Sequence, residues 1–262
     1  MKKAFLPLFA ALSLAACGGG GDGGSPASTS KVANISFYGN PLPSVTGGAA
    51  VAKVAIVHAA SDPAASDGAA TTVKTLTDAL ADQGVTATVT PQVLNGTGLH
   101  ALILGENNGL PPTNDQFKTD PNGFLVINFQ IDDMVTPMDD SSQQAALATF
   151  QQDIYTFIQR AHVSGKLVYA IVPIPTCDAP AGHSAADGVA AAIATAAGQA
   201  AGFPVGILPS NLVAGTDGVY TNTFTAGHLG ADCRTPDAYL LNAWTQSIAE
   251  RMAPGLKNGP AG

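Results

Sequence analysis

The segment Phe124-Leu125-Val126-Ile127-Asn128-Phe129 is apolar on both faces, which suits a central strand of a parallel sheet covered by helices on both sides. The next periodic segment supports that reading. Leu147, Phe150, Ile154, Phe157 and Ala161 recur at three and four residues as one helical stripe, with a capping box predicted at Ser141 and Gln144 and a stop at Gly165. The same alternation runs through the rest of the chain. Residues 50–57 read as a first strand, residues 67–83 as a helix with Val73, Leu76 and Leu80 inward, and residues 85–90 as a second strand. Residues 94–122 are rich in Gly, Pro and Asn, with one short helix over 99–104. Residues 167–174 and 203–208 complete five strands, an alanine-rich helix fills 184–201, and the last helix carries Leu240, Leu241, Trp244 and Ile248. Five strand–helix alternations predict a doubly wound α/β sandwich on a five-stranded parallel sheet, of flavodoxin-like type, with any ligand site beyond the carboxyl ends of the strands.

The amino end is of another kind. Lys2-Lys3 precede an apolar run from Ala4 to Ala16, too short for a permanent membrane span, which reads as a secretory signal over residues 1–16. Leu14-Ala15-Ala16-Cys17 resembles the bacterial lipobox, so Cys17 is the expected lipidation site; an ordinary signal peptide with an incidental cysteine is the alternative. Gly18 after the cysteine points to the outer membrane of a Gram-negative bacterium, on the periplasmic side or at the cell surface. The membrane is then a partner through the lipid anchor. Residues 17–31 hold the anchor and a Gly/Ser-rich tether, and residues 32–262 the folded domain. A net charge of -8 without a basic run argues against nucleic acid.

With Cys17 lipidated, Cys177 and Cys233 remain in an oxidising compartment, where a disulfide is expected; two free buried thiols are the alternative.

Asp232-Cys233-Arg234-Thr235-Pro236 resembles the closing Asp-x-x-His-Pro block of the SGNH (GDSL-type) hydrolases, with Thr235 where that family has its histidine. Val126-Ile127-Asn128-Phe129-Gln130-Ile131-Asp132-Asp133 is similar to the family strand ending in Gly-x-Asn-Asp, with Gln130 for the glycine and Asp132 for the oxyanion-hole asparagine. Asn95-Gly96-Thr97-Gly98 fits the glycine block, with Gly98 as the oxyanion candidate; a plain turn explains it equally well. For the family's Gly-Asp-Ser, residues Ala59-Ala60-Ser61 are the assigned match, which makes Ser61 the candidate nucleophile; Ser66 is a second alignment, and a turn or cap serine is the plain reading.

The resemblance implies hydrolysis of carboxylic esters, with Ser61 attacking and Asp232 orienting a base. Thr235 cannot supply that base at neutral pH. Thr235 also has a structural explanation as cap of the final helix, with Pro236 at its first position and Asp237 in its first turn. A displaced base would come from His58, His183 or His228, while His100 and His162 read as a loop and a helix-surface residue. Asp62, Asp132 and Asp133 could gather at two strand ends around a hard cation such as Mg or Ca, but solvated loop carboxylates are the plainer reading; no histidine pair has zinc-ligand spacing, and neither metal nor cofactor is expected. The expectation is therefore a weak or inactive ester hydrolase of SGNH type. The alternative is a non-catalytic envelope lipoprotein that binds a small ester, lipid or glycan in the old cleft.

Overall fold

Phe124–Asn128 forms a fully buried strand at the centre of a five-stranded parallel sheet in a computed structural model of the chain, which describes residues 32–43, 63–94, 96–106 and 108–259. The strands are β1 (Ala33–Gly39), β2 (Ala87–Val93), β3 (Phe124–Asn128), β4 (Leu167–Ile171) and β5 (Phe203–Val205), in the order β2-β1-β3-β4-β5. All four pairings are parallel. This is the doubly wound, flavodoxin-like order, and its topological switch point lies between β1 and β3.

The helices cover the two faces. Helices α1 (Pro63–Asp82) and α6 (Ala238–Asn258) pack on Ile35, Phe37, Val126, Tyr169 and Ile171. Helices α2 (Leu99–Ile103), α3 (Ser141–Val163) and α4 (Ala185–Ala200) pack on the opposite face, against Tyr38, Leu125, Ile127, Val168 and Ala170. Alternate strand residues thus enter different cores, as the two-residue period of a strand requires. A two-stranded antiparallel hairpin, β6 (Leu212–Ala214) with β7 (Tyr220–Asn222), and the short helix α5 (Thr223–Ala226) lie between β5 and α6. No described helix is long and apolar enough to cross a membrane.

Several expectations change. The strand expected at 50–57 lies outside the described residues, and the sheet's first strand is Ala33–Gly39. Its inward positions include Ser36, which is fully buried and breaks the apolar pattern that reveals a strand. Ser36 is compensated: its hydroxyl donates to Asp120 at 2.8 Å and accepts from the Asn122 amide at 2.9 Å, while Tyr38 donates to the other Asp120 oxygen at 2.7 Å. Burial, reinforced by that acceptor and its charge, pushes the Tyr38 phenol far up.

Helix caps differ too. Asp140, not Ser141, caps α3 by accepting from Ser142 N at 2.8 Å, whereas the capping box belongs to Ser184 and Asp187 at the start of α4. Asp237 caps α6, accepting from Leu240 N at 2.8 Å, so Thr235 is free of the role assigned to it above.

Candidate functional site

The carboxyl ends of the strands bring four loops together. At the switch point, Asn40 N donates to the Asn128 carbonyl at 2.6 Å and the Asn128 amide donates back to the Asn40 carbonyl at 2.8 Å. Gly39 permits this closeness: its φ is +103°, and a Cβ there would stand 2.3 Å from the Asn128 carbonyl oxygen. The chain leaves β1 as Gly39-Asn40-Pro41. Ser61 and His58, the assigned nucleophile and one candidate base, lie outside the described residues, as do Asp62 and Cys17.

After β3 the chain turns on Asp133, whose carboxylate accepts from Val135 N at 2.8 Å, Thr136 N at 3.0 Å and the Thr136 hydroxyl at 2.6 Å. These donors, the Thr136 hydroxyl first, hold its carboxyl below the usual range. Asp132, the oxyanion-hole candidate, is solvent-exposed beside it. Gly98 directly precedes α2, and a Cβ added to it would meet nothing within 4 Å, so no close approach demands a glycine there.

After β4, Cys177 is joined to Cys233 with Cα atoms 4.8 Å apart, as expected from the cysteine count. Their neighbours reinforce the link. The Arg234 guanidinium pairs with the Asp178 carboxylate and also donates to the Met134 carbonyl at 3.0 Å and the Val135 carbonyl at 3.4 Å. One side chain therefore ties the loops after β3 and β4 to the segment before α6. Sequence reasoning missed Arg234. The available signal was opposite charge on the residues that follow the two paired cysteines.

The closing block is a self-contained turn. Asp232 accepts from Arg234 N at 3.0 Å and Thr235 N at 2.9 Å, and its second oxygen accepts from the Thr235 hydroxyl at 2.6 Å. The Thr235 hydroxyl, then the Thr235 and Arg234 amides, bring the Asp232 pKa down to about 2. Thr235 therefore contacts the Asp232 carboxylate directly. It does so as a donor with no basic atom.

Two other imidazoles are held by carboxylates in the same region. His183 Nδ1 pairs with Asp139, joining the loops before α4 and α3, and His228 Nδ1 lies 2.8 Å from Asp237. The His228 ring also stacks on Tyr239, with centroids 4.3 Å apart. In each pair Nδ1 is engaged and Nε2 is the nitrogen left for other partners. His100, expected in a loop, lies in the first turn of α2 and pairs with Asp153 of α3 at 2.9 Å, while His162 Nε2 is buried without a partner among the described residues. Among the described residues no three His, Cys, Asp or Glu side chains are grouped to hold a metal ion.

A cleft of about 220 Å³ opens beside the disulfide, lined by Thr176, Cys177, Asp178, Pro180, Val219 and Thr221. A larger one of about 440 Å³ lies between α6 and the residues that follow β5, with Leu208, Phe224, Ala243 and Arg251 in its walls. The smaller cleft is the one that includes the disulfide and Asp178 in its walls.

No protein-family model and no curated protein matches the chain. Among solved structures it is similar to a protein assigned to the SGNH hydrolases from Slackia heliotrinireducens, at 17% identity and a TM-score of 0.45, covering 85% of this chain and 100% of that one. It is also similar to TesA, at 15% identity and a TM-score of 0.45, over 84% of this chain and 98% of that one. Superpositions this loose carry no argument about chemistry, and the fold assignment rests on the strand order and the two helical layers.

Proposed function

We propose that this chain is an exported, lipid-anchored protein with an SGNH-hydrolase-like fold that has lost acyl-hydrolase chemistry and binds a small ester, lipid or glycan ligand at the carboxyl ends of its strands. The observation that carries the reading is the 2.6 Å hydrogen bond from the Thr235 hydroxyl to Asp232. In the family this chain resembles, that carboxylate orients an imidazole, and a hydroxyl in its place cannot accept a proton at neutral pH. Two further positions support the loss. The sheet's first strand ends at Gly39 and is followed by Asn40-Pro41, where the resemblance calls for Gly-Asp-Ser after the strand, and proline has no nucleophile. At the third strand, Asp132 would set a carboxylate against a developing oxyanion.

Export and anchoring rest on the Lys2-Lys3 leader and on Cys17, and a disulfide between Cys177 and Cys233 suits an oxidising compartment. The outer membrane of a Gram-negative bacterium is the proposed site, on its periplasmic face. A second reading, an ester hydrolase with Ser61 as nucleophile and a displaced base, is favoured by the His183–Asp139 and His228–Asp237 pairs, because each orients an imidazole as an active base requires.

One experiment addresses both parts. Cells expressing the wild type and Cys17→Ser are fractionated and treated with a fluorophosphonate probe. The proposal expects membrane-bound wild type, loss of membrane association in Cys17→Ser, and no label on Ser61. Labelled Ser61 establishes the second reading, and a Cys17→Ser protein that stays lipid-modified removes the anchor.

A further inference from the structure

The larger cleft, between α6 and the residues that follow β5, is apolar at one end and charged at the other. Its α6 wall consists of two neighbouring rows of residues four apart, with Ala243, Ser247 and Arg251 in one and Gln246 and Glu250 in the other. Hydrogen bonds orient the rows. The Ser247 hydroxyl donates to the Ile207 carbonyl at 2.8 Å, so its row faces the segment after β5. The Gln246 amide donates to Asp82 at 3.2 Å and accepts from Gln83 at 3.4 Å, so the other row, with Glu250, turns toward the end of α1.

The walls change character along the helix. Phe224 lies toward the start of α6, its ring centroid 6.4 Å from that of Tyr239, and with Leu208 and Ala243 it makes the apolar end. Arg251 stands just over two turns beyond Ala243, about 12 Å along the helix axis. It is exposed, and it has neither an ion pair nor a hydrogen bond among the described residues. Other cations of the domain are engaged: Lys74, Lys118 and Arg234 pair with carboxylates, while Arg160 and Lys166 donate to backbone carbonyls. A mostly apolar cleft of about 440 Å³ with one open cation at its end suits a ligand that has a hydrocarbon body and a single negative group.

We propose that this cleft binds a single-chain fatty acid of medium length, with its carboxylate at Arg251 and its tail against Phe224 and Leu208. The site shares no lining residue with the cleft beside the disulfide, and it does not depend on the loss of hydrolase chemistry. Charge selects the sign of the head group. With Glu250 turned toward α1, Arg251 is the charge on the side of the apolar wall. The chain's net charge of -8 repels an anion elsewhere, so its binding here depends on that one guanidinium.

Isothermal titration calorimetry of the full chain with decanoate, kept below its micellar concentration, is the test. The expected result is saturable binding that Arg251→Gln weakens by about fivefold, with a salt dependence that the same variant removes. Decanol, which has the tail without the charge, should bind the wild type and Arg251→Gln alike. Ala243→Phe, at the apolar end, should block both ligands. Arg251 is exposed, so its variant keeps the fold and decides the question even where Ala243→Phe does not fold. A chain that takes up no decanoate, as one whose own residues fill the cleft would behave, overturns the proposal, and so does binding that Arg251→Gln or a folded Ala243→Phe leaves unchanged.

Discussion

Gly255 sits inside α6 where a Cβ would stand 2.1 Å from the Tyr169 hydroxyl oxygen, well inside contact distance. Tyr169 cannot step aside, since it is 2% exposed and lies between the rings of Phe124 and Phe203, at centroid distances of 6.4 and 5.6 Å. Overpacking of this kind costs about 1 to 3 kcal/mol or more. Alanine in a helix interior returns up to about 1 kcal/mol over glycine. The steric term wins, so Gly255→Ala should lose about 2 kcal/mol, which for a domain of this size lowers Tm by roughly 4 to 8 °C.

Tyr169→Phe supplies the control within the same experiment. With the hydroxyl gone, the nearest remaining ring atom is Cζ at 3.4 Å, an ordinary contact. Gly255→Ala should then be neutral or stabilising by up to about 1 kcal/mol, a coupling of about 2 to 3 kcal/mol between the two sites. Urea unfolding followed by circular dichroism of the wild type, both single variants and the double variant measures it. Effects that add to within about 0.5 kcal/mol would refute the steric reasoning and the docking of α6 on β4 that it relies on.

Replacing Cys177 and Cys233 together by serine opens a loop with a sequence separation of 56, and the chain-entropy model then predicts a loss of roughly 4 kcal/mol, read as a lower thermal midpoint than that of the oxidised wild type. A carbon-13 NMR titration should find Asp232 ionised down to about pH 2. Because its folded pKa is depressed, its contribution to stability is present above the unfolded value near 3.9 and is lost as pH falls through about 2. Thr235→Val, which removes the largest of the donors, should move that titration back toward the ordinary carboxylate range, and an unchanged pKa would contradict the assigned cause.

The central layers of this fold were legible because β3 is an unbroken apolar run buried at every position, and α3 and α4 are long helices whose apolar residues fall on one core-facing stripe. The strand β1 was not, because Ser36 is buried by virtue of Asp120 and Asn122, partners far away in sequence. The hairpin was also missed, since its three-residue strands are exposed on both faces and leave no periodic burial signal. At the site, the disulfide followed from counting cysteines, whereas the cap of α6 did not: Thr235 and Asp237 both suit a helix start, and only the hydrogen bond to Leu240 N chooses between them. The imidazole–carboxylate pairs were equally out of reach, as Asp139 and His183 lie on different loops and meet only because α3 and α4 pack side by side, with Gly188 against Leu147 and Met138.

The central claim is that acyl-hydrolase chemistry has been lost. Its most direct test is the hydrolysis of short-chain p-nitrophenyl esters by the wild type and by Ser61→Ala in parallel. Loss of a triad member leaves at most about 10³ to 10⁴ over the uncatalysed reaction. On the proposed reading Thr235 replaces the base and Asp132 the oxyanion donor, so the account predicts a wild-type rate below even that residual level and no difference in Ser61→Ala. Substantial wild-type hydrolysis that disappears in Ser61→Ala would contradict it.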